Sequence, residues 1–259
     1  MQPNRIVQVI QQKQRNLLNV YFTAGYPALN DTETIILSLE KAGVDLVEVG
    51  MPYSDPLADG PTIQQSGQQA IQNGMTLPLL FEQIQSLRRH SSIPLMLMGY
   101  YNQVMQYGEA AFIKRCTQVG IDGLILPDLP LDEYETGLKP LVEAANLAIA
   151  FLITPQTPLE RIHRVDALSQ GFIYMVSSAS ITGTQAGLSE SQLAYFEKIN
   201  ALNLKTPRLI GFGIHNRETF ATACQYAQGA IVGSAYIRTL EQAADIETAT
   251  QDFISGLRL

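Results

Sequence analysis

Eight short, nearly uninterrupted apolar runs recur along the chain. They are NVYFTA from Asn19, LVEVGM from Leu46, PLMLMGY from Pro94, GLILPD from Gly123, AIAFLIT from Ala148, FIYMVS from Phe172, RLIGFG from Arg208 and GAIVGS from Gly229. Polar and apolar residues mostly do not alternate within them, which is the pattern of parallel strands covered on both faces. Between the runs the period lengthens to that of a helix. In LNDTETIILSLEKAG, Asn30 or Asp31 can cap, Ile35, Ile36, Leu39 and Ala42 form one apolar face, and Gly43 ends the helix. The N-terminal segment MQPNRIVQVIQQKQRN reads as a further, mostly polar helix.

Eight strand–helix units in 259 residues predict an α/β fold, a (β/α)8 TIM barrel with an extra N-terminal helix, as a single domain over 1–259. The junctions KAGVDLVEVG and TQVGIDGLILP echo each other as such repeats should. A doubly wound open sheet would have fewer strands and a glycine-rich first turn, and YFTAGYP supplies no G-x-G-x-x-G. The strand starts at Leu46 and Pro94, and again at Phe172 and Arg208, are spaced more widely than the rest. The excess is read as long loops, MPYSDPLADGP and SSASITGTQAGL, at the strand ends where barrels build active sites. Gly60, Gly183 and Gly187 give these segments backbone freedom, and SSASITGTQAGL, with few large side chains, reads as a lid.

Composition narrows the function classes. The chain is 46% hydrophobic and 16% charged, with a net charge of −7. Its basic residues are scattered, which argues against a nucleic-acid or anionic-membrane surface. The start lacks a signal peptide's pattern and no apolar run is long enough to span a membrane, so a cytoplasmic protein is expected. Cys116 and Cys224 have no metal-ligand spacing and read as free thiols.

Within LVEVGM the only charge is Glu48, and Asp59 follows eleven residues later in a loop bearing Pro52, Pro56 and Pro61. A buried carboxylate is costly unless it has a partner or a task. The six lysines avoid the predicted strands and long loops, which disfavours Schiff-base chemistry. Three histidines, two of them in helical patterns, do not suggest a metal site. No G-x-S-x-G is present. What remains is acid–base catalysis by Glu48, desolvated, and Asp59, more solvated and ionised. The alternative is that Glu48 makes a buried ion pair and Asp59 orders a turn, but no Arg or Lys lies at the C-terminus of a predicted strand to serve as partner. GFGIHN and GSAY after the last two strands offer backbone N–H groups and a helix start at Ser234 for a phosphate, with His215 and Arg217 nearby. Tyr21, Tyr101, Ile125, Ile153 and Tyr174 are read as lining the barrel mouth, suited to a flat aromatic group.

The motif EVGMPYSDPLADGPTIQ, with YFTAGYP, NGMTL, MGYYNQV, GLILPDLP, FIYMVSSASITG, LIGFGI and IVGSA in order, resembles the tryptophan synthase α-subunit family over nearly the whole chain. The resemblance implies a lyase of tryptophan biosynthesis that cleaves indole-3-glycerol phosphate reversibly to indole and glyceraldehyde 3-phosphate. It implies no cofactor in this chain, and a β subunit using pyridoxal phosphate as partner in an α2β2 assembly. Carried over, Glu48 and Asp59 are the catalytic pair, and Thr182 belongs to the pocket and closes the lid. Gly183, Gly211, Gly213, Gly233 and Ser234 bind phosphate, and Pro52, Asp55 and Pro56 face the partner. Tyr26, Ser178, Ser180 and His215 differ from the family's commonest residues and bear on lid closure and signalling. A stand-alone indole lyase and a non-catalytic barrel that activates a partner are the alternatives.

Overall fold

The computed structural model describes residues 3–176, 189–211 and 213–258. Its strands are β1 (Leu17–Thr23), β2 (Leu46–Gly50), β3 (Leu95–Met98), β4 (Gly123–Ile125), β5 (Ala148–Ile149), β6 (Leu152–Ile153), β7 (Ile173–Val176), β8 (Arg208–Gly211) and β9 (Gly229–Val232). All pairings are parallel, in the order β5-β4-β3-β2-β1-β9-β8-β7-β6. The two ends of this sheet belong to one run of chain. Ala148 and Ala150 donate backbone N–H groups to Asp122 and Leu124 on one side, at 2.8 and 3.1 Å. On the other side the Phe151 carbonyl accepts from Tyr174 N–H at 3.0 Å. The sheet therefore closes into an eight-staved barrel whose fifth stave changes partner midway.

Strand parity sorts the side chains into two layers. Leu17, Leu46, Met96, Ile125, Ala148, Ala150, Phe172, Leu209 and Ile231 point inward and form the barrel core. The alternate residues, such as Val20, Val47, Leu97, Ile149 and Val232, pack against the helices. Helix α1 (Arg5–Lys13) closes the end where the strands begin, placing Ile6 and Ile10 in the inner core. Asn4 caps it and ties it to the Asp122 and Asn146 carbonyls at 2.7 and 2.8 Å. Arg5 and Arg88 both bind the buried carboxylate of Asp122, at 2.7 and 3.0 Å.

Around the barrel run α2 (Asp31–Lys41), α3 (Pro61–Gln72), α4 (Leu77–Leu87), α5 (Tyr101–Tyr107), α6 (Glu109–Val119), the short α7 (Leu131–Glu133) with a π-helical turn at Tyr134–Leu138, and α8 (Lys139–Ala144). They continue with α9 (Leu159–Leu168), α10 (Glu190–Ala201), α11 (Arg217–Tyr226), α12 (Ser234–Gln242) and α13 (Ile246–Leu257). The expected apolar face of α2 is present, with Ile35, Ile36 and Leu39 buried, and Gly43 follows at φ +82°. The wide spacing between β2 and β3 has a second origin besides the expected loop. Two helices, α3 and α4, lie between these strands, so only residues 51–60 form a long loop.

Two expected pocket residues lie elsewhere, one by strand parity and one by its place on a helix. Ile153 pairs with Met175, and both belong to the outer layer rather than the mouth. Tyr101 begins α5 and turns its hydroxyl to Glu109 in the helical layer.

Candidate active site

Glu48 lies one residue pair along β2 from Leu46, on the same inward parity, and its register partner on β1 is Tyr21. It is fully buried. Asn19 Nδ2 donates to Glu48 Oε1 at 2.5 Å, while Glu48 Oε2 has no partner among the described residues. Burial pushes the Glu48 carboxyl up to about 8, against a smaller opposing effect of the Asn19 hydrogen bond. No salt bridge reaches Glu48 among the described residues, so the ion-pair alternative has no support.

Asp59 closes the loop after β2. Met51 N–H extends the ladder to the Met98 carbonyl at 2.7 Å, and Gln103 Nε2 donates to the Pro52 carbonyl at 2.9 Å. Tyr100 then organises the rest. Its ring stacks on Tyr53 with centroids 4.9 Å apart. Its hydroxyl accepts from Ala58 N–H at 2.9 Å and donates to Asp59 Oδ2 at 3.0 Å. Gln64 Nε2 binds the Asp59 carbonyl at 2.9 Å from α3. Half-buried, Asp59 has a carboxyl raised by desolvation, an effect that the Tyr100 hydrogen bond opposes. The expected contrast between a buried Glu48 and a more exposed Asp59 is therefore present.

Tyr100 is the residue that sequence reasoning missed. The sequence points to its neighbour Tyr101 for the mouth, and one position separates the two faces. With Tyr21, Met51, Asp59, Met98, Gly99 and Pro127, Tyr100 lines a narrow pocket at the barrel mouth. Ile125, register partner of Met98, is buried in the inner core. Tyr21 and Tyr174 sit inward, and each fills space left by a glycine. A Cβ at Gly50 would lie 2.2 Å from the Tyr21 hydroxyl, and one at Gly211 would lie 2.4 Å from the Tyr174 ring. Burial raises both phenols, and the charges of Glu48 and Asp59 raise them further. Both acids therefore lie close enough to influence the same two phenols, and Tyr21 and Asp59 line the mouth pocket together.

The last two strands end side by side, β8 against β9, with β1 next to β9. Gly213 has φ +73° and open space around its missing Cβ. Gly233 caps α12, Ser234 opens it, and a Cβ at Gly233 would be 3.7 Å from Tyr21. These groups border the mouth beside β1. Gly211 serves the Tyr174 ring, a packing role the sequence did not reveal. His215 is exposed, with Nδ1 2.6 Å from the Gly213 carbonyl, and Arg217 reaches toward the Ser255 carbonyl at 3.4 Å. Thr182 and Gly183, with Ser178, Ser180 and Gly187, lie outside the described residues. On the outer loop, Asp55 is exposed and accepts from Ser54 at 2.5 Å, Pro52 and Pro56 are half-buried, and Leu57 is 94% exposed.

All six lysines lie away from the mouth. Lys13 pairs with Asp45, Lys41 with Glu247 and Lys139 with Glu143. Lys114 and Lys198 lie on α6 and α10, and Lys205 precedes β8. Among the described residues no three His, Cys, Asp or Glu side chains converge as a metal site would require. No helix among them is long and apolar enough to cross a membrane. A wider cleft between α3 and α12, lined by Tyr26, Gln65, Gln69 and Glu241, holds none of the candidate catalytic residues.

A closed parallel barrel with Glu48 on an inward strand position and Asp59 on the loop at its C-terminal mouth is the architecture of a (β/α)8 barrel, the fold whose enzymes place their active sites at that end. The family model for the tryptophan synthase alpha chain matches residues 7–256, and the chain belongs to that family. It is 54% identical over 255 residues to a tryptophan synthase alpha chain of Flavobacterium johnsoniae, covering 98% of this chain and 100% of that one. It is 47% identical to one of Parabacteroides distasonis, covering 98% and 99%. Among solved structures, the tryptophan synthase subunit alpha of Legionella pneumophila matches with TM-score 0.88 at 30% identity, covering 98% of this chain and 97% of that one. A chain of the tryptophan synthase complex of Pyrococcus furiosus matches with TM-score 0.84 at 30% identity, covering 93% and 97%.

Proposed function

We infer that this chain is a carbon–carbon lyase of tryptophan biosynthesis that cleaves indole-3-glycerol phosphate into indole and glyceraldehyde 3-phosphate. The observation that carries the mechanism is Glu48, fully buried, with no cation and one unbonded oxygen among the described residues, and a carboxyl pushed up to about 8. At neutral pH it holds a proton, and that proton goes to carbon 3 of the indole ring. Positive charge then develops on the ring nitrogen, where Asp59, held by Tyr100, accepts the N–H and stabilises it. The Glu48 carboxylate takes the proton of the adjacent side-chain hydroxyl. As the aldehyde carbonyl forms, the carbon–carbon bond breaks and its electron pair neutralises the ring. Proton transfer of this kind needs neither a Schiff base nor a metal ion.

The neighbouring ends of β8 and β9 support a phosphate site at Gly213, Gly233 and Ser234, with the α12 N-terminus contributing its dipole. Gly183 and Thr182 complete the phosphate and lid groups in this reading, and Gly211 shapes the pocket through Tyr174. Tyr21, Ile125 and Tyr174 form its apolar wall and floor. The chain itself carries no cofactor in this proposal; pyridoxal phosphate belongs to a β subunit, met in an α2β2 assembly in the cytoplasm. Pro52, Asp55 and Pro56 form the docking face, on the same loop that ends at Asp59.

The test is indole formation by the chain alone and with a β subunit. An increase of about tenfold or more is expected, a coupling of ~1–3 kcal/mol, and Asp55→Ala should remove most of it while sparing the basal rate. A chain already at full speed and indifferent to the β subunit would be a stand-alone lyase.

A further inference from the structure

The structure assigns Asn19 a role in the lyase reaction: a positioning residue that binds one oxygen of Glu48 and leaves the other as the sole proton-transfer atom. The inference rests on the catalytic role proposed for Glu48. Asn19 lies on β1 opposite Leu46, one inward position before Tyr21, and so sits diagonally across from Glu48. A polar amide is unusual at that depth. It is fully buried, and every residue of β1 is buried with it.

The hydrogen-bond inventory argues against a merely structural amide. Asn19 Nδ2 makes the 2.5 Å contact to Glu48 Oε1, while its own Oδ1 has no partner among the described residues. A buried, unsatisfied carbonyl oxygen disfavours folding. A side chain retained for stability alone would be better replaced by an apolar one of similar size. What the amide supplies is a donor that cannot ionise, aimed at one oxygen of the carboxylate. That contact restricts rotation of the Glu48 carboxyl group and marks Oε2 as the free oxygen. It also favours the ionised form against desolvation, holding the carboxyl within reach of neutral pH, where it must both give and take a proton. Among the described residues, the other titratable groups that interact with Glu48 are Tyr21 on β1 and Tyr174 on β7. Neither is a cation, so among the described residues Asn19 is the one group that favours the Glu48 carboxylate.

The experiment compares Asn19→Leu with Glu48→Gln and the unchanged protein. Glutamate carboxyl groups are labelled with 13C and titrated by NMR, the Glu48 resonance being assigned by its loss in Glu48→Gln. In Asn19→Leu the Glu48 titration should move up by about one unit, with kcat falling about tenfold. KM should stay within about threefold and Tm should change little, since loss of the unsatisfied Asn19 oxygen is offset by loss of the donor to Glu48 Oε1. An inactive Glu48→Gln beside an Asn19→Leu with unchanged titration and kcat overturns this inference and leaves the lyase reading intact. Near-normal turnover in Glu48→Gln instead overturns the role of Glu48, and the inference with it. If Asn19→Leu fails to fold, Asn19→Ser, too short to reach Oε1, is titrated in its place with the same two outcomes.

Discussion

Replacing Tyr100 by Phe removes one oxygen and leaves the ring on Tyr53. That hydroxyl joins Ala58 N–H at 2.9 Å to Asp59 Oδ2 at 3.0 Å. A hydrogen bond to a charged group contributes ~1.5–3 kcal/mol, and the lower end applies because Asp59 is half-buried. If the contact is needed when the ring nitrogen becomes positive, ~1.5 kcal/mol corresponds to roughly a tenfold fall in kcat. The Tyr100 bond lowers the Asp59 carboxyl against desolvation. Without it the acid is protonated at higher pH, so the acidic limb of the rate profile should move toward neutrality. Steady-state indole formation across pH, with kcat and KM separated, reads both effects. Wild-type kcat with an unmoved acidic limb would refute the claim that Tyr100 sets the state of Asp59.

Glu48 also links stability to pH. Its ordinary value is 4.5 and its folded value about 8, so between them the folded chain holds a proton that the unfolded chain has released. The associated stability is complete below 4.5 and is lost as pH rises toward 8. Tm should therefore drop by several degrees across that window, and Glu48→Gln should flatten the drop; parallel curves for the two proteins would contradict this. At the other end of the barrel, Asp122→Ala leaves Arg88, whose side chain is 11% exposed, without its carboxylate. The expected loss is ~3–5 kcal/mol, read from urea midpoints, and a loss below about 1 kcal/mol would mean that the Arg5–Asp122–Arg88 cluster does little.

The strands are legible in the sequence because a parallel barrel buries both faces of each one, giving nearly continuous apolar runs. The same fact hides which way each side chain points. Ile153 and Tyr101 read as mouth residues because hydrophobicity does not distinguish the inner core from the helical layer, and a shift of one residue reverses the face. Glu48 stands out as the only charge in an apolar run. Asn19 carries a weaker form of that signal, an amide on the inward parity of β1, but it opens its predicted strand and reads as a boundary residue. The break between β5 and β6 is invisible in AIAFLIT, since it arises from a change of pairing partner. The long interval after β2 reads as loop because α3, with Ile71 41% exposed, has a weak apolar face.

In the proposed mechanism Glu48 moves the protons that break the carbon–carbon bond. Single-turnover cleavage of indole-3-glycerol phosphate by Glu48→Gln, with glycerol phosphate affinity measured alongside, tests it most directly. The rate should fall by ~10²–10⁴ with binding within about threefold, because the amide keeps the shape and loses only the transferable proton. Cleavage near the wild-type rate with intact binding would contradict it.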